Sequence, residues 1–78
     1  MKGNKMTIEL VKILEAARKH RSRSNVWFER YQENADESFW TACMEEEHAA
    51  KGLLEAYEIM TGRKIHTFEI EEEIMAVA

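Results

Sequence analysis

The hydrophobic positions fall into stretches separated by short polar gaps, and their spacing is helical for most of the length. From Thr7 to His20 the apolar residues Leu10, Ile13, Leu14 and Ala17 recur at intervals of three and four, with Met6 one turn earlier. Glu9, Lys12, Glu15 and Lys19 take the other faces. This is the signature of an amphipathic helix. Thr7 is the expected N-cap, and Arg18, Lys19 and His20 suit the negative end of the helix dipole. Ser22-Arg23-Ser24-Asn25 follows, and its short polar side chains compete for the backbone, which predicts a turn over 21–25.

A second helix is predicted from about 25 to 61. Its apolar face runs through Trp27, Phe28, Tyr31, Ala35, Phe39, Trp40, Cys43, Ala50, Leu53, Leu54, Tyr57 and Met60, and Gly62 stands as a C-cap. Its weak point is 34–38, where Asn34-x-x-Glu37 offers to start a new helix after a break. The segment 64–77 reads two ways. Ile65, Phe68 and Ile70 would line a strand, whereas Ile70, Ile74 and Val77 fit a short helix capped by Thr67 with Glu69 and Glu71 to Glu73 in its first turns. The helix is the better fit.

The fold class expected is therefore all-α: a single domain spanning 1–78, built as a helical hairpin with a short first and a long second helix plus a C-terminal element. A long aromatic helix faced by a 14-residue partner leaves apolar surface bare, so either the chain folds back at 34–38 or a second copy covers the rest. The interface of such a homo-oligomer is expected at Phe39, Trp40, Leu53, Leu54 and Tyr57.

Composition sharpens this. With 78 residues, no proline and one cysteine, the chain has neither the length for a large core nor a disulfide or zinc staple. Such a core rarely yields more than about 3–5 kcal/mol, which again favours self-association. Met1 to Lys5 is basic, but Glu9 and Lys12 interrupt the apolar residues that follow, so neither a leader nor a membrane span is read and a cytoplasmic setting is expected. Charge is polarised: residues 1–31 carry eight Lys/Arg against three Asp/Glu, and 32–78 carry three against twelve.

Three constellations are candidate chemistry. Arg18, Arg21, Arg23, Trp27, Arg30 and Tyr31 cluster around the predicted turn, and guanidinium groups beside aromatic faces suit a phosphate-bearing ligand, either a nucleotide or single-stranded nucleic acid. The plainer reading is dipole complement and interface anchors. Glu45-x-x-His48 has the i, i+3 spacing of carboxylate-bridged metal sites, but no second Glu-x-x-His exists, so no metal and no cofactor is expected. The acidic surface from Glu33 to Glu73 would imitate nucleic acid toward a basic partner, or simply keep the chain soluble. Cys43 falls on an apolar face away from the histidines, so no nucleophilic site, and no enzyme, is expected.

In size, acidity and helical composition the chain is similar to small accessory proteins of phages and mobile elements that bind and block host factors. That resemblance implies a non-catalytic, regulatory module acting through protein–protein contact with an unknown partner, and it assigns no residues.

Overall fold

The computed structural model describes residues 5–78, so the opening Met1 to Asn4, read above as unsuited to a leader, lies outside the described residues. Three α-helices and one 3₁₀ turn follow one another: α1 (Lys5–Asn34), α2 (Glu37–Thr61), a turn of 3₁₀ helix (Thr67–Glu69) and α3 (Ile70–Val77). The described chain is all-α. It forms a rod of 49 × 19 × 16 Å, and no described helix is long and apolar enough to cross a membrane.

The reversal lies at 35–36, not at 21–25. Ser22 to Asn25 are helical, and α1 runs unbroken for 30 residues. The reason is tertiary. Ser24 is buried against α2, where its hydroxyl donates to Glu47 Oε2 at 3.3 Å and lies 3.2 Å from Cys43 Sγ. A hydroxyl satisfied across the helix pair no longer competes for its own backbone. Trp27, Phe28 and Tyr31 on the same stretch meet Phe39 and Trp40 across the loop, which holds the last turns of α1 in place. At its other end α1 already includes Lys5, so Thr7, expected as the cap, sits inside it.

The two-residue connection is built from caps. Ala35 adopts φ 52, the left-handed conformation that ends a helix, and its N–H reaches Tyr31 O at 2.6 Å. Asp36, rather than Asn34, then starts α2: its Oδ1 accepts the Ser38 N–H at 2.9 Å and the Ser38 hydroxyl at 2.8 Å, and these bonds hold its carboxyl below the usual carboxylate range. At the far end Gly62, φ 75, caps α2 through its N–H to Glu58 O.

Partners across the pair descend along α2 as they climb along α1: His20 meets Glu46, Ser24 meets Cys43 and Trp27 meets Phe39. The helices are thus antiparallel. The buried residues of α2, Cys43, Ala50, Leu54 and Tyr57, follow a seven-residue repeat, as in a coiled-coil seam. The apolar core sits at the end away from the loop, where Leu14, Ala17, Leu54 and Tyr57 are closed over by Ile65 and Ile70, with Leu10, Ile13, Leu53, Ile74 and Val77 packed around them. The 64–77 segment forms the expected short helix. It is entered one residue earlier than Thr67 predicts: the His66 N–H bonds Glu69 Oε1 at 2.8 Å.

A polar latch fixes this lid. The Tyr57 side chain, with no exposed surface, donates its hydroxyl to Glu73 Oε2. Arg63 grips the same carboxylate from outside, Nε to Oε2 at 2.8 Å and an Nη to Oε1 at 2.7 Å. Burial, and next the adjacent carboxylate, push the Tyr57 hydroxyl up to about 12 from 10.0. The bidentate bonds from Arg63 hold the Glu73 carboxyl below its ordinary 4.5 despite burial.

Because the folded state binds the Tyr57 proton more tightly than the unfolded chain does, that contribution is complete below pH 10 and is lost as pH rises toward 12. Glu73 has the opposite sign: its contribution is present above pH 4.5 and is lost as pH falls through the lowered folded value. Chemical denaturation across pH should give a plateau between these limbs. Tyr57→Phe should flatten the alkaline limb at a cost of about 1 kcal/mol, and Glu73→Ala, which orphans the buried hydroxyl, should cost about 2–3 kcal/mol. Ala35→Gly should raise stability by about 0.5–1 kcal/mol in the same assay, since only the left-handed strain is removed.

Candidate functional site

The third layer covers one face of the α1–α2 pair and leaves the other bare. Residues 64–72 lie beside Lys51, Glu55 and Glu58 of α2 and beside Arg18, Arg21 and Asn25 of α1. The opposite face holds a shallow groove of about 490 Å³ lined by α1 and α2 alone: Ser22, Arg23, Val26, Trp27, Arg30 and Glu46.

This division splits the basic and aromatic cluster read from the sequence. Arg23, Trp27 and Arg30 stay together in the groove, because steps of four and three return to one side of a helix. The Arg30 guanidinium stands 5.2 Å above the Trp27 ring, which stacks on Phe39 at 5.8 Å and 20°. Arg18 and Arg21 point to the covered face, toward Glu71 and Glu72, and Arg18 also pairs with Glu15 at 3.6 Å. Tyr31 packs on Trp40 at 5.4 Å. The six residues thus serve three surroundings rather than one.

The expected interface residues divide as well. Leu54 and Tyr57 lie inside this chain's own core, since α3 and Ile65 close over them, and Leu53 packs against that core half-buried. Phe39 is half-buried under Trp27, whereas Trp40 remains 42% exposed. Trp40 meets Phe28, 41% exposed, at the loop end, whereas Val26, 48% exposed, lines the groove on another side of α1. Phe28 and Trp40 touch at 6.5 Å. Five of the seven aromatic residues, Trp27, Phe28, Tyr31, Phe39 and Trp40, gather at this end. The sequence placed all five on one long helix; only the reversal at 35–36 brings them together.

Glu45 and His48 are both exposed on α2, and no group of three or more His, Cys, Asp or Glu able to hold a metal occurs among the described residues. The residues of that stretch with partners on α1 are Glu46 and Glu47. Glu46 Oε1 lies 2.6 Å from His20 Nδ1, the centre of a half-buried pair bridging the helices. The partners lie 26 positions apart in sequence, so no short-range spacing points to this pair. Cys43 is buried beside Ser24, where a thiol acts as a small hydrophobe.

No family model, curated protein or solved structure matches this chain.

Proposed function

We propose that this chain is a non-catalytic interaction module that assembles with a second copy through the aromatic loop end and acts on a macromolecular partner. The observation that supports this reading is the pair Phe28 and Trp40, in ring contact at 6.5 Å and each two-fifths or more exposed at the loop end of the rod. Aromatic rings of this size lose most when left in water and gain most when buried, and such residues anchor protein interfaces. The phage-accessory resemblance agrees with this reading in size and charge.

Sedimentation equilibrium over a range of micromolar concentrations should give a multiple of 9.2 kDa. Trp40→Glu and, separately, Phe28→Glu should return the chain to a monomer with an unchanged far-ultraviolet circular dichroism spectrum. A monomeric native chain throughout that range would overturn the reading.

A second reading is supported by the groove: Arg23, Trp27 and Arg30 together suit a phosphate beside a planar ring. It predicts that a nucleoside monophosphate quenches tryptophan emission and that Arg23→Glu abolishes the quenching. An emission spectrum unmoved at millimolar nucleotide would remove it.

A further inference from the structure

The uncovered face extends well beyond the groove. On α2, next to the buried seam, lies a second stripe at the same heptad spacing: Phe39, Ala42, Glu46, Ala49, Leu53 and Ala56, all half-buried with no third helix over them. Two adjacent apolar seams on one helix are what a bundle of three or more helices requires. Here α1 reaches it, through Trp27 on Phe39 and His20 on Glu46, and Leu53 leans on the core, but among the described residues no third helix packs on it. The one polar member, Glu46, is already answered by His20 at 2.6 Å.

Gly52 adds an independent sign. It lies within α2 beside Ala49 and Ala56, and a Cβ placed on it would meet nothing within 4 Å. Glycine at such a place costs the helix about 0.5–1 kcal/mol relative to alanine, and the fold draws no packing from it. Small side chains on an open face let another backbone come close.

The charge along the opposite rim states what kind of backbone. Lys12, Lys19, Arg23 and Arg30 fall within a narrow arc of α1 at 100° per residue, a row about 27 Å long at 1.5 Å rise. All four are exposed. Lys12, Lys19 and Arg23 have no ion pair or hydrogen bond among the described residues, and Arg30 rests over Trp27. The nearby acid Glu15 is taken by Arg18 at 3.6 Å, Lys12 at the far end of the row lies beside Glu15 and Ala78, and Glu9, one turn before Lys12, and Glu45 on the outer edge of α2 remain as counter-charges.

We infer that this face docks an acidic amphipathic helix of a partner protein, its apolar stripe on Ala42, Ala49, Leu53 and Ala56 and its carboxylates along Lys12, Lys19, Arg23 and Arg30. A second copy fits worse: stacked α1 on α1 it sets the two cation rows against each other, and stacked α1 on α2 it offers them Glu45 but not Glu46, which His20 already answers. A single strand of nucleic acid would find only Trp27 to stack on over most of the length. This surface is separate from Phe28 and Trp40, so its test stands apart from that of the self-association.

The probes are two synthetic three-heptad helices sharing one Leu/Ala stripe, one flanked by glutamates and the other by lysines, titrated against the native chain by fluorescence anisotropy. The acidic peptide should bind about tenfold or more tighter than the basic one, an advantage that shrinks as salt screens it. Lys19→Glu with Arg23→Glu should reverse the preference, and Ala49→Arg should abolish binding with circular dichroism unchanged. Trp40→Glu should leave peptide binding intact. Equal binding of both peptides, no binding of either, binding indifferent to Ala49→Arg, binding of a single-stranded oligonucleotide in place of the peptide, or a homodimer that Ala49→Arg dissolves would each overturn the inference.

Discussion

The contact between the two aromatic stretches flanking residues 35 and 36 is the constraint on which the rest depends. Trp27 stacked on Phe39 sets the register of α1 against α2, and that register delivers Ser24 to Cys43 and His20 to Glu46 further down the rod. Ser22 to Asn25 have a local preference for a turn, but a turn there would separate these partners. A few tenths of a kcal/mol per residue in helix propensity are outweighed by buried aromatic area and a satisfied hydroxyl. The helix therefore continues until Ala35 takes up the left-handed conformation that ends it.

The lid solves a different problem at the other end. A rod of two helices has too little interior to be stable alone, and the chain spends its last fourteen residues closing one end over Leu14, Leu54 and Tyr57. Burying the Tyr57 hydroxyl would be costly without a partner, and Glu73 supplies one while Arg63, outside, keeps the carboxylate charged. The latch is a directional contact in a lid of only eight helical residues, which fixes how α3 sits rather than merely that it binds.

What the sequence revealed follows from this balance. The helical class, a candidate break at 34–38 and the C-terminal helix were legible, because apolar spacing, the polar run from Asn34 to Ser38 and Gly62 are local signals. The position of the reversal was not: Ser22 to Asn25 resemble a turn more closely than Asn34 to Glu37 do, and only contacts 12 to 26 positions apart decide between them. The same error carried into the site residues. Leu54 and Tyr57 look like interface residues when the reversal is placed at 21–25, and become core residues once the reversal at 35–36 sets Leu14 and Ala17 beside them and Ile65 and Ile70 close over them. The arginine cluster looked convergent around a turn, but along a continuous helix it divides by angle into Arg18 and Arg21 on one face and Arg23 and Arg30 on the other.

That division gives the polarised charge of the chain its structural sense. On the covered face Arg18 and Arg21 lie beside Glu71 and Glu72, so the acidic C-terminal helix meets cations of its own chain. On the bare face a second cation row flanks the half-buried stripe of Ala42, Ala49, Leu53 and Ala56, and among the described residues no third helix lies upon it. The covered face is thus an internal example of the arrangement: an acidic, amphipathic helix seated on α1 with isoleucines inward and glutamates toward arginine. The inferred partner helix would repeat that arrangement on the opposite face, its carboxylates toward the cation row as Glu71 and Glu72 lie toward Arg18 and Arg21.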